Sequence, residues 1–149
     1  MVNRERTSAL VHLTFVMKLY EKQTREGRYF LHEHPAQATS WMEPCVQKIL
    51  DIPGTIRVNG DQCQYGLEAR SGPDVGMPHR KTTGFMTNAP ELAKSLSARC
   101  QGRGGACSRP QGGFHSRLEG SSKTRAAAQY SDGLCKAILS GLCKQLKRD

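Results

Sequence analysis

Hydrophobic residues recur every three or four positions in two long segments, and this spacing predicts amphipathic helices near both ends of the chain. The first segment runs from about residue 8 to residue 25, and Gly27 supplies a helix stop. The second runs from about residue 131 to residue 147, with leucine or isoleucine at every fourth position. A shorter helix is predicted at 40–50, where Ser40 and Glu43 have the spacing of a capping box.

Three short apolar runs between these segments predict β-strands at residues 28–33, 55–59 and 83–87. The sequence Asn88-Ala89-Pro90-Glu91 then predicts the start of another helix, with Leu92, Leu96 and Cys100 on one face. Alternation of helices and strands is typical of an α/β fold with a parallel sheet. We therefore expect one domain over residues 1–149, with 67–82 and 101–124 as flexible loops.

Composition is consistent with a single domain that has a small core. The chain has 149 residues, 37% of them hydrophobic, and its mean hydropathy is -0.57. It contains no apolar run of about 18 residues, and no signal-peptide core follows the N-terminus. We expect an intracellular protein without a membrane partner, and the sequence does not separate cytoplasm from nucleus.

The charge balance favours polyanionic partners. Lysine and arginine number 22 against 13 acidic residues, which gives a net charge of +9. A basic surface attracts DNA or RNA. Aromatic residues make up only 6% of the chain, so a stacking platform for single strands is not expected. A small basic nucleic-acid-binding module is therefore one candidate function.

Six cysteines occur without a C-x-x-C pair, and we expect them to be reduced thiols that mostly fill the core. The best metal-ligand candidates are Cys100, Cys107 and His115 in a glycine-rich stretch. Their spacings of seven and eight residues are not those of a zinc finger. The sequence therefore predicts no metal site.

Polar side chains follow the first strand, in the sequence His32-Glu33-His34-Pro35. Residues two apart on a strand share a face, so His32 and His34 point together while Glu33 points to the other side. If both histidines meet Asp61 at the next strand end, a metal-dependent nuclease or hydrolase is possible. If Glu33 points inward, it can accept a hydrogen bond from a bound base or donate one to it. The remaining alternative is that these groups only cap a sheet edge.

Three ordered motifs carry a resemblance to a known family. They are residues 28–35 with Trp41 after them, Asp61-Gln62-Cys63-x-Tyr65-Gly66-Leu67, and Lys81-x-Thr83-x-Phe85-Met86-Thr87-Asn88. Together they resemble the second half of a domain of retroelement polyproteins, which is similar to DNA cytosine-5 methyltransferase-like proteins. The resemblance implies a partial, incomplete Rossmann-like fold, a three-layer α/β arrangement with helices flanking the sheet.

The same resemblance implies roles for residues. Glu33 stands where the family has the glutamate that contacts the target base, and His34 and Pro35 follow it. The candidate catalytic residues are Glu33, His34 and Asp61. The candidate substrate-binding residues are His32, Gln62, Tyr65, Lys81, Thr83 and Asn88.

Parts of the family pattern are missing from this chain. The upstream Pro-Cys nucleophile and the loop for S-adenosylmethionine are absent, and Thr82 and Gly84 stand where the family has proline and arginine. We therefore expect a degenerate or truncated domain that is inactive alone. It would need no cofactor, and would use S-adenosylmethionine only if the missing half were supplied. A half-sheet exposes an edge, so we also expect self-association.

Overall fold

A computed structural model describes residues 2–117 and 128–149. Within these residues the helices are α1 (Val2–Arg25), α2 (Pro44–Leu50), α3 (Pro90–Ser95) and α4 (Asp132–Arg148). The strands are β1 (Leu31–Pro35), β2 (Ile56–Asp61) and β3 (Thr82–Thr87), and short 3-10 helices cover Thr39–Met42 and Gln62–Tyr65. The helices and strands confirm a mixed α/β chain.

The three strands form one antiparallel sheet in the order β1-β3-β2. The expectation of parallel pairing is therefore wrong, and a Rossmann-like sheet is not confirmed. β1 and β2 run in the same direction but lie on opposite sides of β3, so α2 connects two strands that do not pair. A helix between two strands signals parallel pairing only when those strands are neighbours.

Helices cover both faces of the sheet and bury a separate apolar cluster on each. The face under α1 and α2 buries Met17, Phe30, Trp41, Val46, Ile49 and Met86. The face under α3 and α4 buries Tyr65, Phe85, Ala89, Leu92, Leu96 and Leu134. Phe85 and Met86 are neighbours on β3 and point to opposite faces, as strand geometry requires.

Two predicted helix starts differ from the observed ones because proline sets them. α2 begins at Pro44, and Glu43 before it is extended, at φ -65° and ψ 136°. Proline disfavours a helical conformation in the preceding residue, so the capping box of Ser40 and Glu43 does not form. α3 likewise begins at Pro90, after Ala89 rather than Asn88.

Helix α4 lies close to its predicted range, whereas α1 ends at the predicted residue but begins six residues earlier than predicted. Ser131 caps α4, where its Oγ accepts a 3.2 Å hydrogen bond from the backbone N–H of Leu134. Leu134 is fully buried, whereas Leu146 at the other end of the same stripe is 59% exposed. In the part of the chain that the structure describes, no helix combines the length and apolar character needed to cross a bilayer.

Candidate metal centre

Four metal-ligating side chains converge beside the ends of β2 and α3: Cys63, Cys100, Cys107 and His115. Their sulfur and ring nitrogen atoms all lie within 4.8 Å of one another. The three cysteines are buried and His115 is half-buried. The Sγ atom of Cys100 lies 3.9 Å from Sγ of Cys107 and 3.6 Å from Nε2 of His115.

Two of these separations, 3.9 Å between the sulfurs of Cys100 and Cys107 and 3.6 Å between Cys100 and His115, are close to the edges of a tetrahedral zinc site. With Zn–S near 2.3 Å and Zn–N near 2.0 Å, a tetrahedron places two sulfurs about 3.8 Å apart and sulfur about 3.5 Å from nitrogen. Three thiolates and one imidazole are also a ligand set that selects zinc. Four protein ligands fill a tetrahedral shell and leave no position for substrate.

A tight hairpin positions two of the four ligands. The backbone N–H of Cys107 donates to the Gly113 carbonyl, and the N–H of His115 donates to the Gly105 carbonyl, both at 2.8 Å. Gly105 and Gly113 have φ of +82° and +95°, a conformation that glycine adopts without strain. The glycines of this basic stretch therefore bring Cys107 and His115 close together in the hairpin.

Gly102 allows the chain just before the hairpin to pack closely against the backbone of Ala106. A Cβ atom at this position would lie 1.9 Å from the carbonyl oxygen of Ala106. The Ala106–Phe114 bridge next to it holds the two hairpin arms together. A side chain at Gly102 would therefore separate Cys100 from the hairpin ligands.

Hydrogen-bond donors surround the sulfur atoms. Ser108 donates to Sγ of Cys100 through its backbone N–H at 3.4 Å and its hydroxyl at 3.5 Å. The Gln64 amide lies 3.4 Å from Sγ of Cys63 and 3.7 Å from Sγ of Cys107. Such outer donors stabilise thiolate ligands and fix their orientation.

The thiols of Cys100 and Cys63 differ in pKa. Burial opposes ionisation of Cys100, but hydrogen bonds from Ser108 and from the Gly102 backbone outweigh it and lower the pKa of Cys100 to about 6. Burial raises the pKa of Cys63 to about 12, and the neighbouring thiols add to this shift. At neutral pH Cys63 is therefore a protonated thiol, and ionisation of all three buried thiols together would require a cation among them.

The sequence singled out three of these ligands and missed Cys63. The structure brings Cys100, Cys107 and His115 together as one group, and Cys63 completes it from the 3-10 helix that follows β2. The missed signal is the position of Cys63 just after the end of β2, close to the candidate residue Asp61.

The predicted site at the end of β1 is divided between the two faces of the sheet. His32 and His34 share a face, with ring centroids 6.0 Å apart, and both meet Trp41 edge-on. Burial, followed by the charge of His34, lowers the pKa of His32 to about 4. Glu33 lies on the other side, where its carboxylate accepts a 2.9 Å hydrogen bond from the Tyr130 hydroxyl. The predicted division of these three side chains is confirmed.

Asp61 does not join the histidines. Its carboxylate is fully buried and accepts a hydrogen bond from the Thr82 hydroxyl. Among residues 2–117 and 128–149, the cysteine–histidine cluster is the one group of three or more side chains able to hold a metal. The convergence of His32, His34 and Asp61, on which the nuclease or hydrolase alternative depends, is therefore not observed.

The predicted substrate-binding residues mostly bond to the protein itself. The Gln62 amide donates a 2.9 Å bond to the Thr83 hydroxyl, and the Tyr65 hydroxyl donates to the Ser95 carbonyl. Asn88 accepts from the Phe30 N–H through its side-chain oxygen. These bonds connect the segments that follow β2 and β3 to distant parts of the chain.

Lys81 is half-buried beside Thr82 at the start of β3, and its φ of +34° is unusual for a residue with a side chain.

Comparisons with known proteins add no relative. No protein-family model matches the chain, and no curated protein or solved structure matches it.

Proposed function

We propose that this chain is a zinc-binding domain in which Cys63, Cys100, Cys107 and His115 hold one Zn²⁺ ion. The observation that supports the proposal is the approach of four ligand atoms to within 4.8 Å of one another. Three buried cysteines and a histidine that only filled the core would not need to place their ligand atoms this close together. Tetrahedral Cys₃His coordination explains it directly.

The metal has a structural role in this proposal. The ligands come from three segments: the 3-10 helix after β2, the chain after α3, and the hairpin of residues 105–115. Zinc would join segments that otherwise bury little apolar surface, and the core is small for 149 residues. Because the unfolded chain has no preformed site, zinc binding free energy adds to folding stability.

Metal content tests the proposal directly. The full chain is purified without added chelator, and zinc per chain is measured by plasma mass spectrometry beside a thermal unfolding scan. We expect one zinc per chain and a large loss of thermal stability after chelation. Cobalt substitution should give the charge-transfer absorption of thiolate coordination.

A matched pair of variants separates coordination from a general thiol effect. Cys107→Ser removes a buried ligand, whereas Cys143→Ser changes an exposed thiol on α4. We expect Cys107→Ser to lose the metal and Cys143→Ser to keep it. A wild-type chain that takes up no zinc and unfolds identically with and without chelator would contradict the proposal.

A further inference from the structure

Two arginines share one buried carboxylate beside the metal centre. Nε of Arg99 lies 3.1 Å from Oδ2 of Asp61, and Nε of Arg80 lies 3.5 Å from the same oxygen. Both side chains remain partly open to solvent, with exposed fractions of 41% and 47%. One buried carboxylate oxygen thus has two partly exposed guanidinium groups within 3.5 Å of it.

More hydrogen-bond donors surround the Asp61 carboxylate than its single negative charge needs. Its other oxygen accepts from the Thr82 hydroxyl at 2.5 Å, and Oδ2 also accepts from the backbone N–H of Cys100 at 2.8 Å. One arginine would balance the carboxylate, so the second leaves an excess positive charge.

Both arginines approach Asp61 through Nε, which leaves the Nη atoms available. Within the described residues, those Nη atoms make no hydrogen bond. The paired Nη donors of a guanidinium group match the oxygen atoms of a phosphate. The contact with Asp61 also fixes the side chains in advance, which reduces the entropy lost on binding.

The backbone next to Arg80 has a strained conformation. Lys81 has a φ of +34°, in the left-handed region that side chains other than glycine rarely adopt. This residue lies between Arg80 and Thr82, and both of those reach the same carboxylate. Strain of this kind persists where the surrounding contacts require it, and it concentrates at functional sites.

We propose that Arg80 and Arg99 form a phosphate-binding pair for the backbone of a nucleic acid. The net charge of +9 supplies the long-range attraction, and the arginine pair supplies the fixed contacts. The inference rests on the proposed function, because Arg99 precedes the zinc ligand Cys100 and the metal fixes that segment. Specificity for a base sequence is not part of the proposal.

Binding of the zinc-loaded full chain to a fluorescently labelled oligonucleotide tests the pair. Anisotropy is measured with single-stranded RNA and with duplex DNA over a series of salt concentrations. Arg80→Gln should weaken binding several-fold and lower the slope of log K against log salt by about one. The control Arg25→Gln removes the same charge from an exposed residue of α1, near the opposite end of the sheet, and should have a much smaller effect.

Two conservative variants test the same proposal if Arg80→Gln does not fold stably. Arg80→Lys and Arg99→Lys retain the charges but lose the paired donors, and each should still weaken binding relative to wild type. Zinc content is measured for every variant, so loss of metal and loss of binding are separate readouts. A variant series that keeps zinc and binds the oligonucleotides as tightly as wild type would overturn the proposal.

A polyanion without phosphates distinguishes recognition of phosphate groups from attraction to negative charge in general. Polyglutamate carries carboxylates in place of phosphates, and its weaker binding should be insensitive to Arg80→Gln. Equal losses for polyglutamate and oligonucleotide would also overturn the proposal.

Discussion

The backbone N–H of Cys100 donates a 2.8 Å hydrogen bond to the buried carboxylate of Asp61. This bond connects the last residue of β2 to a proposed zinc ligand that lies 39 positions later in the chain. The backbone N–H of Asp61 in turn donates to the Ala98 carbonyl at 2.8 Å. The end of β2 therefore sets the position of the segment that carries Cys100.

Asp61→Asn should weaken zinc binding, because it removes the charge that orients Arg99 and weakens the acceptor for the Cys100 N–H. We expect a loss of affinity of about tenfold, typical of a change in the outer shell of a metal site. Competition with a coloured chelator measures it. Asp51→Asn changes an exposed carboxylate after α2 and serves as the control, and equal affinities for both variants would reject the coupling.

Alkylation should distinguish the cysteines by metal occupancy. With zinc bound, iodoacetamide should modify the exposed Cys135 and Cys143 and leave the three buried cysteines intact. After chelation, Cys63, Cys100 and Cys107 should also react, because the loops they join open more often. Peptide mass spectrometry locates the modified residues. Protection of the same three thiols without any metal would argue that burial alone explains it.

The sequence pattern predicted most helices and strands but not how the strands pair. The apolar spacing located α4, the three strands and the end of α1 to within a few residues, because local periodicity determines them. Pairing depends on contacts between distant residues, such as Phe85 of β3 opposite Glu33 of β1 and Val58 of β2. No local signal places β3 between the other two strands.

The metal centre was only partly predictable for the same reason. Cys107 and His115 lie in one hairpin, so their proximity follows from local glycines. Cys63 reaches the cluster only because the chain folds back over 37 residues to Cys100, and no spacing rule covers such a distance. The resemblance to a methyltransferase-like retroelement domain stays a prediction.

Gly84→Ala should destabilise the sheet, because a Cβ atom there would lie 2.7 Å from Cζ2 of Trp41. Trp41 is 2% exposed and donates through Nε1 to the Pro35 carbonyl, so it cannot easily move away. Overpacking of this kind costs about 1–3 kcal/mol. Urea unfolding measures the difference in free energy.

A double-mutant cycle identifies Trp41 as the cause of that loss. Trp41→Phe removes the ring atoms that the new Cβ atom would meet. Adding Gly84→Ala to Trp41→Phe should therefore cost less than adding it to the wild type. Equal costs in both backgrounds would place the strain elsewhere.

Stability should fall as the pH is lowered from about 6.5 to 4, in part because of His32. Burial keeps its folded pKa near 4, whereas the unfolded side chain takes up a proton near 6.5. The unfolded state therefore binds more protons in this window, and acid favours unfolding. Urea midpoints at pH 7 and pH 5 measure the effect.

His32→Gln should reduce that pH dependence, because glutamine does not titrate and can still bond the Tyr20 hydroxyl that lies 3.2 Å from Nδ1 of His32. The control His12→Gln replaces an exposed histidine of α1 and should leave the pH dependence close to that of wild type. If both variants keep the full dependence on pH, another group causes the acid sensitivity.

Glu33→Gln separates the zinc-dependent nucleic-acid module from the methyltransferase-like alternative. The Tyr130 hydroxyl donates to the Glu33 carboxylate, and the amide oxygen of glutamine can accept the same bond, so stability should change by less than about 1 kcal/mol. Glu33 lies on the edge strand β1, whereas Arg80 and Arg99 meet at the end of β2, on the other side of β3. Zinc content should therefore equal that of wild type. Oligonucleotide binding should also equal that of wild type or, with one negative charge fewer, increase slightly.

A methyltransferase role for Glu33 predicts a different pattern. When the missing half and S-adenosylmethionine are supplied, the wild type should transfer a methyl group to cytosine, and Glu33→Gln should lose this activity while it still binds the oligonucleotide. That second pattern would show that Glu33 acts on the reacting base and is not only a structural contact of β1.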